Sequence, residues 1–130
     1  MKPNDSQAIG HWGEKHAGKD LKRRGMKVLG KRVRPGGRDE IDIVAREGDV
    51  LVFVEVKTRA TETFGRPSDA VDRDKRRVLS RAAVRYLQRL RDPRVSFRFD
   101  VVEIVGRMDD GEPEIRHIQN AFQLDRRYLL

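Results

Sequence analysis

The sequence predicts an α/β fold, a central mixed sheet of about five strands flanked by helices. Three observations carry this reading. Periodicities along the chain run helix, three strands, helix, two strands. The run "VLVFV", Val50 to Val54, is apolar at every position, which marks a strand covered on both faces and therefore the centre of the sheet. Finally, 130 residues give room for one domain, residues 1–130, with a single modest core.

Each element has a local cause. Ile9, Trp12, Ala17 and Leu21 recur at helical spacing, so a first helix is expected from about Ser6 to Arg24, capped by Asp5 or Ser6 and stopped at Gly25. "MKVLGKRVR" reads as a strand that ends at the breakers Pro35, Gly36 and Gly37. "EIDIVA" and "VLVFVEVK", separated by "REGD", form a hairpin signal, so the first three strands should run as an antiparallel meander. The polar stretch "TRATETFGRPS", Thr58 to Ser68, reads as a loop. Val71, Val78, Leu79, Ala82, Ala83, Tyr86, Leu87 and Leu90 then share one face of a second helix, expected from Asp72 to Arg91 and ending before Pro93. "VSFRFDVVEIV" is a strand, "MDDGEP" a turn and "EIRHI" a short strand, with residues 1–5 and 125–130 as flexible or extended ends.

Composition excludes several classes. With no cysteine there is neither a disulfide framework nor a thiolate zinc site, and His11, His16 and His117 are too scattered to form a metal cluster. Neither an apolar signal core nor a spanning stretch is present, so a cytoplasmic protein without a membrane partner is expected. The 29 Lys+Arg against 21 Asp+Glu give a net charge of +8, which favours a polyanionic partner such as nucleic acid.

The central strand poses the chemical question. Glu55 and Lys57 share a face with Leu51 and Phe53, while Val52, Val54 and Val56 take the other. If the hairpin pairs residue 46 with 51, Asp42 falls opposite Glu55, and two carboxylates about 5 Å apart repel unless a cation lies between them. Hard oxygen donors without sulfur or histidine indicate magnesium or manganese. Lys57 would then aim an ammonium at a phosphate drawn to the ion. The alternative is a strand that surfaces at Glu55, with Glu55, Lys57 and Arg59 its solvated end.

Both helices add candidates. Glu14 lies at the edge of the first helix's apolar face, where Gly10 and Gly13 would let the backbone approach the sheet, or else it sits on a solvated flank. Lys75 falls within the apolar face of the second helix and either reaches the site or snorkels to solvent. Tyr86, on the same face, reads as core. Arg73, Arg77, Arg81, Arg85 and Arg89 form a stripe at four-residue spacing, read as a solvated helix back in preference to a phosphate-binding face. The loop after Lys57 is expected to contact the nucleic acid, with Arg59 and Arg66 on phosphates.

"GEKHAGKDLKRRG", "DEIDIV", "VFVEVKTR", "FGRPSDAVDRDK" and "FRFDVVEI", in that order, resemble the blocks of the YraN-like family of small bacterial proteins. The resemblance spans Gly13 to Ile104. It implies a restriction-endonuclease-like, PD-(D/E)XK fold near the archaeal Holliday junction resolvases. It matches Asp42 and Glu55, with Val56 between the acid and the lysine, to metal-binding positions, Lys57 to the catalytic lysine and Glu14 to the acid of the first helix. Glu40 and Tyr86 are candidate supporting residues. The sequence departs locally at "RDEIDIV", where Asp39 adds a third acid near the site. The implied function is a magnesium-dependent, structure-selective endonuclease acting on branched or single-stranded regions of DNA. A homodimer is the corresponding expectation, because resolving a junction takes two active sites. The competing expectation is a non-catalytic nucleic-acid-binding accessory protein that retains the fold.

Overall fold

A computed structural model describes residues 6–61, 72–91 and 94–128. Helix α1 spans Ser6–Arg23, followed by β1 (Lys27–Val33), β2 (Ile41–Glu47) and β3 (Val50–Arg59). Helix α2 (Arg73–Gln88) precedes β4 (Ser96–Val105) and β5 (Glu114–Phe122), and a single 3-10 turn, Arg126–Tyr128, follows. The five strands lie in sequence order, β1-β2-β3-β4-β5, so β3 is the central strand. All neighbours are antiparallel except β3 and β4, which run parallel and are joined through α2, as a parallel pair must be by a long crossover.

The two faces of β3 explain its unbroken apolar run. Leu51 and Phe53 enter a cluster with Leu79, Ala82 and Ala83 of α2 and with Phe99, Val101 and Phe122. Val52 and Val54 enter the other, with Ala17 and Leu21 of α1 and Val102 and Ile104 of β4. A large apolar side chain buried in either layer contributes about 1.5–3 kcal/mol relative to its exposed state, so β3 anchors both. Helix α1 closes with Gly25 at φ +90° and the bonds Met26 N to Leu21 O and Gly25 N to Lys22 O, a Schellman stop. At the start of α2, Asp72 caps Lys75 N at 2.8 Å.

Four boundaries differ from the sequence reading. Thr58 and Arg59 belong to β3, because the parallel ladder continues through Thr58–Ile104 and Arg59–Val105. Helix α2 stops at Gln88, three residues short of Arg91, where Arg89 N and Leu90 N tighten to bonds with Tyr86 O and Leu87 O. β5 is not the short "EIRHI" strand but runs to Phe122, whose buried ring stacks on Phe99 at 4.7 Å and holds the chain beyond an irregularity in the β4–β5 ladder. The expected extended end contains the 3-10 turn at 126–128. Residues 1–5, the greater part of the predicted loop, and Val71 lie outside the described residues. Among the described residues no helix is long and apolar enough to cross a membrane.

Candidate functional site

The β2–β3 hairpin has the register that places Asp42 beside Glu55. Arg46 pairs with Leu51, and the ladder runs to Ile43 with Val54. Beyond that pair Asp42 uses its side chain in place of backbone: Oδ2 accepts the Val56 N–H at 2.8 Å. The carboxylate is thereby fixed at the point where the two strands stop exchanging main-chain bonds.

Asp42 and Glu55 stand side by side beyond the end of the ladder, and each acts on the other's ionisation. Two carboxylates so placed favour taking up a proton. Glu55 is 4% exposed. Burial, then the neighbouring charge of Asp42, pushes its pKa up to about 8, against the opposing pull of Lys75 and Lys57. Asp42 is raised as well, chiefly by burial, although the Val56 N–H works the other way. Two ammonium groups stand over the same Glu55 oxygen, Lys57 Nζ at 3.8 Å and Lys75 Nζ at 3.7 Å from Oε1. The other oxygen, Oε2, is buried without a hydrogen-bond partner. Lys75 has thus found a partner at the site rather than only an exit to solvent.

Helix α1 supplies the far side of this cluster through a close contact. A Cβ on Gly13 would lie 2.1 Å from Thr58 Oγ1, so glycine is what lets the helix settle on β3. Gly10 has open space and no such role. Glu14, the next residue, comes within reach of Asp42: ligand oxygens of Glu14, Glu40 and Asp42 all lie within 4.8 Å of one another. Glu14 meets Arg32 at 2.9 Å and Glu40 meets Arg34 at 3.1 Å. Arg32 adopts φ +52°, a conformation uncommon for a side-chain-bearing residue.

The residues present fit a hard divalent cation. All donors are carboxylate oxygens, Asp42 is common to the Glu14–Glu40 group and to the Glu55 pair, and Glu55 Oε2 lacks a partner that an ion would provide. Magnesium requires few protein ligands because it keeps several waters.

Other predicted site residues fall elsewhere. Arg59 lies within β3, not in the loop, and pairs with buried Glu103 at 3.3 Å. Tyr86 packs edge-on against Phe53 at 5.6 Å and is core. Asp39 does not join the acid cluster, because Arg81 at 2.6 Å and Arg85 at 3.4 Å hold its buried carboxylate and keep its pKa below the usual range. Those two arginines are correspondingly not a bare solvated stripe. For Val56 it is the backbone N–H that engages Asp42. Arg66 lies outside the described residues.

Sequence reasoning missed Arg32 and Arg34, and it missed the charges of β4. Asp100 is fully buried and receives His117 at 2.7 Å, Arg98 at 2.9 Å and Asn120 N at 2.9 Å. Burial alone would raise its pKa, but His117, Arg98 and the Asn120 N–H together hold it below the ordinary value. Arg98, Asp100 and Glu103 were visible as charges inside an otherwise apolar strand, and such charges need partners.

These features define an α/β protein with a mixed five-stranded sheet and an acid pair, Glu55 buried and Asp42 half-buried, flanked by lysines. The model of the family described as uncharacterised protein family UPF0102 matches residues 13–104. A UPF0102 protein of Syntrophotalea carbinolica is 44% identical over 119 residues, covering 91% of this chain and 94% of the relative. Another, from Chlorobaculum tepidum, is 39% identical over 125 residues, with 93% and 96% coverage. The UPF0102 protein STH1475 of Symbiobacterium thermophilum is 44% identical over 117 residues, with 90% and 98% coverage. The chain belongs to the UPF0102 family.

Proposed function

We propose that this protein is a magnesium-dependent, structure-selective DNA endonuclease with a PD-(D/E)XK core, resembling the Holliday junction resolvases. The observation that carries the reading is the Asp42–Glu55 pair: two adjoining carboxyl groups that raise one another's cost of ionisation, an unpartnered buried oxygen, and two lysines on one side. Such a pair at the end of a strand ladder is a poor structural device and a good divalent-ion site.

Asp42 and Glu55 would hold the ion, with Glu14 and Glu40 on its far side. When bound, magnesium or manganese supplies concentrated positive charge beside a phosphodiester. Lys57 and Lys75, both beside Glu55, would then face the non-bridging phosphate oxygens, where negative charge grows as the transition state forms. In the hydrolysis a water oxygen bonds to phosphorus as the bond to the leaving oxygen breaks. The water's proton passes to solvent or a neighbouring carboxylate, and the leaving oxygen takes one up. DNA as the partner, a homodimer as the working form and the cytoplasm as the location belong to the same reading.

A second reading, a non-catalytic nucleic-acid-binding protein on this fold, is favoured by the guanidinium groups that already neutralise Glu14 and Glu40. Incubating the purified protein with labelled branched, duplex and single-stranded DNA, in magnesium, manganese or EDTA, separates the two. Metal-dependent cleavage of any of these supports the enzyme. Retained binding with no cleavage in either metal supports the accessory protein.

A further inference from the structure

A cavity of about 480 Å³ opens beside the carboxyl ends of β3 and β4, on the face that α1 covers. Ile9, Trp12 and Met108 give it apolar walls, and Thr58, Arg107 and Asp109 give it polar ones. Nothing in the proposed hydrolysis uses it. We infer that it takes an unpaired nucleobase of the substrate strand, stacked on Trp12. The inference rests on the nucleic-acid reading above, though not on cleavage.

Position is the first argument. Thr58, in the cavity wall, directly follows Lys57 in β3, and its hydroxyl fits against Gly13, which separates Trp12 from Glu14. The cavity and the acid cluster therefore flank one helix–strand contact, and a strand passing over the end of β3 would meet both. Chemistry is the second. A half-buried indole, held by an edge contact with His16 at 5.1 Å and 73°, offers a preset stacking surface. Arg107 and Asp109 provide a donor and an acceptor for the polar edge of a base, and Arg107 complements the attached phosphate in a protein of charge +8.

The third argument is that the cavity is kept clear. Gly106 has φ +147°, and a Cβ there would lie 3.2 Å from Pro113 Cα and face Trp12 Cη2 at 3.9 Å. Any side chain at 106 would strain the turn, press on Pro113 and take up space beside the indole. A base within a duplex has both faces covered by its neighbours, so only an unpaired or extruded base can enter. The cavity would thereby give the site its preference for single-stranded or branched substrate.

Trp12 is the protein's one tryptophan, so its fluorescence reads this cavity directly. The full-length protein in EDTA, which prevents cleavage, is titrated with a fluorophore-labelled single-stranded oligonucleotide, its duplex, an abasic oligonucleotide of equal length and inorganic polyphosphate. Anisotropy or competition reports binding independently. The expected result is quenching by the single strand, less by the duplex, and none by bound abasic strand or polyphosphate. Trp12→Ala should weaken single-strand binding on the order of tenfold or more, and Trp12→Phe should retain most of it. Unchanged melting temperatures for both variants establish that they are folded. Binding of the single strand without quenching, or equal quenching by the abasic strand, overturns the base site alone. Failure of every DNA to bind at low salt overturns the nucleic-acid reading itself, and the base site with it.

Discussion

Asp42 faces Glu55 across the end of the β2–β3 ladder and accepts the Val56 N–H at 2.8 Å. The backbone bond favours the ionised form of Asp42, so a proton taken up by the pair resides mainly on Glu55, whose pKa burial and the Asp42 charge push up to about 8. Unfolding releases that carboxyl to water, where it titrates near 4.5. Between these two values the folded protein binds the extra proton and the unfolded chain does not, so stability must fall as pH rises.

Metal-free protein is accordingly expected to lose stability from about pH 5 to pH 8, by up to a few kcal/mol. The effect is fully present as stabilisation below the unfolded value and is gone above about 8. Magnesium should oppose the loss and release a proton on binding. Urea denaturation across this range, with EDTA or magnesium, measures it. Glu55→Gln should flatten the metal-free slope, and a slope unchanged in that variant would show that another group titrates.

Substitution separates holding the ion from acting on the phosphate. Asp42→Asn and Glu55→Gln should each abolish cleavage while leaving stability in EDTA at neutral pH equal or improved, since the cost of keeping the buried Glu55 carboxyl protonated beside Asp42 is removed. Lys57→Ala should lower cleavage by about 10²–10³, the usual cost of losing one group that stabilises transition-state charge, yet keep the magnesium-induced rise in melting temperature. A strand end held by ordinary ion pairs behaves oppositely, with loss of stability in all three variants and indifference to magnesium. Calorimetry of the three proteins with and without magnesium distinguishes these patterns.

Much of this arrangement was legible in the chain. "VLVFVEVK" marks the central strand because apolar residues on consecutive positions need cover on both faces, and the turn chemistry of "REGD" sets the register that puts residue 42 beside 55. Helical spacing places Glu14 at the border of one apolar face and Lys75 within another, from which both reach the site. Long-range charge pairing was not legible. Asp39 resembles an additional site acid until Arg81, 42 residues away, is seen to hold it, and Arg59 resembles a loop cation until the parallel ladder brings up Glu103. Such pairs depend on crossover geometry, which local periodicity does not encode.

Gly13 is expected to be the position where α1 tolerates least. Gly13→Ala brings a methyl against Thr58 Oγ1 and should cost about 1–3 kcal/mol as an overpacked contact, despite alanine's better helix propensity. Thr58→Ala removes the offending oxygen, so the double variant should recover most of the loss. Additive losses in urea denaturation would place the strain elsewhere. If the contact also sets Glu14, the single variant should weaken magnesium affinity and the double variant should restore it.

The buried charges of β4 give a stability test independent of metal. Asp100 is fully buried, and the side chains of Arg98 and His117 converge on it, with Glu47 meeting Arg98 at 3.0 Å. Its folded pKa is depressed below the ordinary value of 3.8, so its contribution is present above that value and is lost as pH falls through the folded pKa. Asp100→Asn keeps the shape but leaves a guanidinium short of its buried counter-charge, which should cost about 3–5 kcal/mol at neutral pH. Because the variant has no group to protonate there, the gap between it and the wild type should narrow as pH drops below about 4. Melting temperatures of both proteins from pH 7 to pH 2.5, in EDTA so that the acid pair near α1 binds no ion, measure that gap. A gap that stays constant into acid would mean that Asp100 acts through its shape and hydrogen bonds and not through its charge.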